Sequence, residues 1–325
     1  MPNNSAYYYS RLSAAEKAVY KALRTGIESF SAEIRLPFAS QNEISKAFNC
    51  VLWDNPLIFY TSSYTMTSDT LKRQCRLYPN YTYAPRKAKG YIDEIMRYLH
   101  TLDAIQGRQD IDKELYVHDF CLNHFKYDYA FGKHAHSVLG PVFNKAAVCE
   151  GIAKFVKLAL DYLDVKSIIV HGEASDPAHG TNSGHTWNIV EISGQTFHLD
   201  VTFDLTLKTN HNRYDYFNLS DEDIKKDHSF ANDLPKCVIP DKDYYSNRGM
   251  VANTPAELKT LLENSLKQGK KIITVKLRNI TDPANILDRV IAIAQRQYLN
   301  LYKQSVMVEV RYNLRQMVFE IEYKK

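Results

Sequence analysis

An α+β fold follows from three observations. Apolar residues recur at helical spacing through much of the first half, alternating strand-like runs cluster in the middle, and both patterns return at the end. These divide the chain into a mainly helical lead-in over 1–105, a central unit over 106–240 and a small α/β unit over 250–325. At 325 residues the chain exceeds the ~100–200 of a usual single domain, in keeping with several packed units.

In the lead-in, Val19, Leu23, Ile27 and Phe30 form one helical face behind Ser13, with Glu16 three residues on, which is the capping-box pattern. A second helix is expected over roughly 41–49. Pro56 then breaks the chain before the apolar run Leu57–Tyr60, read as a short strand. Tyr78 to Pro85 reads as irregular or extended. Helical spacing resumes over 87–102 through Ile92, Ile95, Met96 and Leu99.

The central unit begins with a helical pattern within 112–129, followed by the loop F-G-K-H-A-H-S-V-L-G-P-V-F. That loop feeds Cys149, where the apolar-periodic segment E-G-I-A-K-F-V-K-L-A-L-D-Y-L begins. Next come H-T-W-N-I-V-E-I and Q-T-F-H-L-D-V-T-F around Ser193-Gly194, a hairpin that brings His185 and Asp200 onto adjacent antiparallel strands within hydrogen-bond reach. A short strand through Tyr214–Leu219 and a helix capped by Ser220 close the unit. Pro235, Pro240 and a polar stretch mark the boundary to the last unit. There a helix from Thr254-Pro255 to Gly269, the strand K-I-I-T-V-K-L, a helix from Asp282-Pro283 and a terminal hairpin are expected. No catalytic grouping occurs in it, so packing or docking of a protein partner is its expected role.

Composition narrows the function classes. With 45% hydrophobic and 24% charged residues the chain is an ordinary globular one. A net charge of +4 without a basic block gives no nucleic-acid signature. The 23 tyrosines fit half-buried rings with wet hydroxyls better than a glycan- or peptide-binding surface. Five scattered cysteines, Cys50, Cys75, Cys121, Cys149 and Cys237, never form a C-x-x-C pair, which argues against a disulfide framework or zinc knuckle. The start carries no leader-like apolar run, and no apolar run of about 18 residues occurs anywhere, so a protein without a membrane span is expected, cytoplasmic as written and exported if a leader has been removed.

The chemistry centres on three residues. A helix N-terminus carries partial positive charge that stabilises a thiolate at Cys149, and a neighbouring imidazolium adds to it. An aspartate accepting from one nitrogen of His185 leaves the other nitrogen as the base facing sulfur. A lone cysteine is more often structural; the ordered triple reverses that. His134 and His136 form a possible chelating pair, but without further ligands at suitable spacing no metal or cofactor is expected. His198 lies on the same strand face as Asp200, lining the cleft or exposed on the surface, and His179 sits in a loop that could gate access.

V-C-E-G-I-A, G-H-T-W-N-I-V and F-H-L-D-V-T-F-D together resemble the transglutaminase-like superfamily over about 112–230. The resemblance implies a papain-like core in which a cysteine on a helix N-terminus packs against an antiparallel sheet carrying histidine and aspartate. Cys149 is then the nucleophile, His185 the general base and acid, and Asp200 the orienter. Y-D-Y-F-N-L-S followed by His228, and D-N-P-L-I-F-Y, are also similar to segments flanking the core in bacterial members. Transglutaminases often draw an oxyanion donor from a tryptophan upstream of the cysteine; the tryptophans here are Trp53 and Trp187. The Cys149 backbone N–H is one candidate donor and Tyr127 or Tyr129 a second, with Trp187 and Asn188 as further cleft residues. The resemblance implies acyl transfer from an amide or peptide substrate, with hydrolysis favoured over amine transfer because no feature binds an acceptor lysine. The reading from another class is a catalytically silent, protein-binding relative.

Overall fold

The computed structural model of the chain describes residues 6–175, 182–279 and 284–324, and mixes helices and strands in an α+β arrangement. In the lead-in, Ser13 and Glu16 form the expected capping box at the start of α1 (Ala14–Glu28). Ser40 and Glu43 form another at α2 (Gln41–Asp54). This second helix runs past the expected Asn49 because Val51 and Asp54 turn into the core, where the Asp54 carboxylate accepts the N–H groups of Tyr8 and Tyr9 at 3.0 and 2.9 Å.

Leu57–Tyr60 is not a strand; Ile58 N–H instead closes a turn on the Asn55 carbonyl. The strands of this region are β1 (Ile34–Leu36), β2 (Thr61–Asp69) and β3 (Gln74–Tyr81), ordered β1-β3-β2. Tyr78–Tyr81, read as irregular or extended, is extended and belongs to β3. Pro79 is tolerated there because the β1 pairing ends at Leu77 and the β2 register shifts between Thr61 and Tyr64, opposite the proline. The helix expected over 87–102 is α3 (Pro85–Leu99), with proline in its first turn.

The central unit places α4 (Asp110–His124) and α5 (Cys149–Tyr162) against a five-stranded antiparallel sheet. Its strands are β4 (Ser167–Ser175), β5 (Asn182–Ile192), β6 (Gln195–Leu199), β7 (Phe217–Leu219) and β8 (His228–Phe230), ordered β8-β4-β5-β6-β7. Ser193 and Gly194, at φ of 53° and 76°, make the two-residue turn between β5 and β6. The second strand was expected to continue through Phe203. It stops at Leu199, because the Asp200 Oδ1 accepts the N–H groups of Thr202 and Phe203 and caps α6 (Val201–Leu207).

Helix α5 is bonded to the sheet at two levels. The buried Asn188 amide donates to the carbonyls of Ala153 on α5 and Ile168 on β4, at 3.1 and 3.3 Å. Near the far end of α5, buried Lys157 bonds the Asp161 carboxylate at 2.9 Å and the Ser167 carbonyl at 3.0 Å. A single large apolar cluster extends from Leu12 through α5 to Phe217.

The terminal part contains α7 (Pro255–Lys267), α8 (Ile286–Tyr302) and a four-stranded sheet. The strands β9 (Val251–Ala252), β10 (Ile272–Leu277), β11 (Met307–Asn313) and β12 (Val318–Lys324) are ordered β9-β10-β12-β11. They enclose a separate apolar cluster that includes Leu262, Val275, Phe319 and Ile321. The Asp282-Pro283 helix start lies outside the described residues. The polar stretch before this part is packed rather than loose: Asp243 and Tyr245 are buried, Arg278 donates to Asp243 at 2.6 Å, and the Tyr245 hydroxyl donates to Asp215 at 2.9 Å.

Because the Asn188 amide satisfies two buried carbonyls at once, Asn188→Ala is expected to lower stability by about 1–3 kcal/mol in urea or thermal unfolding. Unchanged stability would contradict this tie between α5 and the sheet.

Candidate active site

Cys149 is the first residue of α5, and no side chain caps that helix start. The orphan N–H groups of the first turn and the helix dipole therefore act on the thiol and on whatever anion forms beside it. The preceding loop is laid against the helix: Val148 N–H bonds the Ala135 carbonyl at 3.2 Å, and Asp128 N–H bonds the Ala147 carbonyl at 3.0 Å. Gly151 permits this approach, since a Cβ there would lie 2.2 Å from the Ala135 oxygen. Beside the cysteine, Glu150 is held by Lys154 at 2.6 Å and by His136 Nδ1 at 3.0 Å.

Cys149 is half-exposed, whereas Cys50, Cys75, Cys121 and Cys237 are buried. Burial pushes the Cys50 and Cys237 thiols up to about 12, and that of Cys121 further still.

His185 sits on β5, and the hairpin register pairs Asn188 with Leu199. Asp200, one residue further on, thereby comes diagonally within reach, and His185 Nε2 bonds Asp200 Oδ2 at 2.7 Å. The imidazole is held between ring neighbours, with Trp187 stacked at 5.8 Å and Phe203 at 4.5 Å between centroids. Burial opposes its charged form, but the Asp200 carboxylate outweighs burial, and the neighbouring Cys149 adds to it; together they raise the pKa to about 10. Burial likewise works against ionised Asp200, yet His185 and His228 hold its carboxyl well below the usual range. With Nε2 directed to the carboxylate, Nδ1 is the nitrogen left for sulfur.

His228 on β8 is a further neighbour, with its Nε2 3.1 Å from the same Asp200 oxygen and its Nδ1 2.6 Å from Asp227 Oδ1. The sequence reading associates His228 with the family pattern but assigns it no contact. Asp200 and His228 lie 28 positions apart and are brought together by the pairing of β8 with β4, which no local pattern announces.

The other expected residues are distributed differently. Tyr127 pairs with Ala147, two residues before Cys149, and its ring contacts Tyr129 at 4.8 Å; Tyr129 is exposed. Trp187 donates its indole N–H to His198 Nδ1 at 3.0 Å, and Asn188 is committed to the two carbonyls described above. Both donors thus serve the interior rather than the cleft. His198 is fully buried and bonds Asp221 at 2.9 Å, neither lining the cleft nor exposed. His134 contacts the Tyr83 hydroxyl and His136 contacts Glu150, so the proposed chelating pair has two separate partners. Trp53 lies tilted against His171, with 4.8 Å between ring centroids. His179 lies outside the described residues.

Among the described residues, two groups bring ligand atoms within 4.8 Å of one another: His185, Asp200 and His228, and His198, Asp221 and Cys237. In the first, the 2.7 Å separation is that of a hydrogen bond, shorter than the ~3.3 Å between two ligand atoms on one tetrahedral zinc ion. In the second, the Trp187 indole is a donor only, so neutral His198 carries its proton on Nε2 and gives it to Asp221 rather than offering a lone pair. Both donor sets fit shared protons better than a cation.

No family model matches the chain, and no curated protein matches it. Among solved structures, it is similar to a TGase, at 12% identity and a TM-score of 0.31 over 52% of this chain and 51% of that one. It is also similar to a candidate cysteine protease from Cytophaga hutchinsonii, at 12% identity and a TM-score of 0.25 over 43% of this chain and 62% of that one. The chain thus spans about half the length of the first and less than two thirds of the second. The names agree with the resemblance carried by the motifs; at these scores the overlaps add no argument of their own.

Proposed function

We propose that this protein is a cysteine-nucleophile acyl-transfer enzyme of the transglutaminase-like type, with a papain-like core formed by α5 and the sheet that carries His185 and Asp200. One observation carries the reading: the 2.7 Å bond from His185 to a fully buried Asp200, beside the one half-exposed thiol, which opens an uncapped helix. In this reading His185 Nδ1 takes the thiol proton and the Cys149 sulfur attacks an amide or peptide carbonyl. The resulting oxyanion sits at the N–H groups of the first α5 turn, with the Tyr127 or Tyr129 hydroxyl as the second donor. As the tetrahedral intermediate collapses, His185 returns the proton to the leaving amine, and a thioester on Cys149 passes its acyl group to water. The same steps serve an amine acceptor; water is favoured because no feature of the sequence binds an acceptor lysine. The substrate is a protein or peptide, and the division into a lead-in, a catalytic core and a C-terminal unit belongs to the same proposal.

Iodoacetamide is expected to alkylate Cys149 at neutral pH well ahead of Cys50 and Cys237. His185→Ala is expected to slow that reaction about ten-fold or more, since it removes the base and the positive charge that favour the nucleophilic form of the sulfur. Equal rates at the three cysteines, or no effect of His185→Ala, would leave a silent binding module as the better reading.

The second prediction concerns alkaline pH. The His185 pKa is raised, so its charged form persists above the unfolded value of ~6.5 and is lost as pH rises through about 10. Its contribution to folding stability follows the same course, complete below the unfolded value and lost through about 10. Turnover of a cleaved peptide amide, found with a peptide library and absent in Cys149→Ala, should therefore fall on the alkaline side near pH 10, as the proton for the leaving amine disappears. A fall already complete near ~6.5 would show that Asp200 does not hold His185 charged.

A further inference from the structure

Asp200 receives two histidines. His185 Nε2 and His228 Nε2 approach the same Oδ2 atom at 2.7 and 3.1 Å, while Oδ1 is taken by the N–H groups of Thr202 and Phe203. Every acceptor direction of this buried carboxylate is thus engaged, and His228 is the partner that the proposed reaction does not require. His228 is itself gripped on its other nitrogen by Asp227 Oδ1 at 2.6 Å, so both ring nitrogens face carboxylates. The remaining Asp227 oxygen accepts the Tyr216 hydroxyl at 2.6 Å.

The chain of bonds continues into the C-terminal unit. Asn313, the last residue of β11, donates its amide to the Tyr216 oxygen at 3.2 Å. Gln316, in the turn to β12, donates to the Asp223 carbonyl at 3.1 Å and lies 3.5 Å from Asp227 Oδ2. Both are buried, and Asn313 Oδ1 in turn accepts the Gln316 N–H at 3.2 Å, which fixes the turn against the central unit. A close packing contact underlies the same region: Gly172 on β4 has no room for a Cβ, which would lie 2.2 Å from the Ser229 carbonyl and 2.8 Å from the Trp187 ring. That approach lets β8 lie beside β4 with His228 over Asp200.

We propose that His228 is a positioning residue for the Cys149–His185 pair, holding Asp200 through a hydrogen-bonded relay that starts at the Asn313–Gln316 turn of the C-terminal unit. The inference rests on the acyl-transfer reading, and gives the C-terminal unit a part in that site. The charged and titratable groups facing His228 are Asp200, Asp227, His185 with its ring centroid 5.4 Å away, and Tyr216 at 5.7 Å; His198 feels its charge. Burial opposes charging His228, but the two carboxylates prevail and raise its pKa. A cation beside Asp200 adds positive potential at the thiol, and its bond stops the carboxylate from turning away from His185. Both effects favour the Cys149 thiolate.

The test is the pH profile of iodoacetamide alkylation at Cys149 in the full chain. Asp227→Asn keeps the shape and a donor toward His228 while removing the charge that holds it protonated, and His228→Gln keeps a donor toward Asp200. Each is expected to move the acid limb to higher pH, slowing alkylation on that limb about three- to ten-fold. The Asn313→Ala, Gln316→Ala double variant should show a smaller shift in the same direction. Thermal unfolding accompanies each variant, and because a purely structural role lowers Tm without moving the limb, the two roles separate. Unmoved limbs in Asp227→Asn and His228→Gln, with wild-type Cys149 still selectively reactive and dependent on His185, overturn this proposal while sparing the acyl-transfer reading. Loss of that wild-type selectivity means instead that the acyl-transfer reading itself has failed. An unmoved limb in the double variant alone overturns the connection to the C-terminal turn.

Discussion

A buried carboxylate sets the terms for the rest of this site. Asp200 is fully enclosed, and an ionised carboxyl in that position costs several kcal/mol unless it is paired and fully hydrogen-bonded. The surrounding structure supplies those partners: two N–H groups of the helix it caps and two imidazoles on one oxygen. The cap ends strand β6, the end of β6 fixes where Asp200 sits relative to β5, and that register places His185. Fold and site thus share one constraint.

This arrangement also explains why the C-terminal unit is joined by polar rather than apolar contacts. The apolar clusters of the two parts are separate, while Asn313 and Gln316 reach Tyr216 and Asp223 across the junction, and the segment before β9 is tied to one side by Arg278–Asp243 and to the other by Tyr245–Asp215. Polar contacts of this kind specify a geometry more sharply than a greasy interface, because a small displacement leaves buried groups unpaired. An orientation that matters for the site is well served by such a joint.

Much of the site was legible because its parts are encoded locally. Cys149 opens an apolar-periodic segment, His185 an alternating one, and Ser193-Gly194 marks the turn that folds Asp200 back toward His185. The α/β alternation of the last unit was readable for the same reason. What escaped depends on long-range register or on competition between patterns. V-T-F after Asp200 has strand-like composition, but the capping bonds of the aspartate convert it to a helix start. The stretch from Tyr78 to Pro85 left irregular and extended readings open, and the end of the β1 pairing explains the place of Pro79 in β3. The donors of Trp187 and Asn188 looked available to a cleft until the buried partners that occupy them were visible. His228 and Asp227 form an unremarkable dipeptide until β8 is laid along β4.

The central claim is that Asp200 holds His185 as an imidazolium beside Cys149. The most direct measurement is an NMR pH titration of the His185 ring in the wild type and in Asp200→Asn. The account predicts that the wild-type imidazolium persists until the pH approaches about 10, while the ring of the variant titrates near the ordinary value of ~6.5. A wild-type ring that titrates near that ordinary value would contradict it.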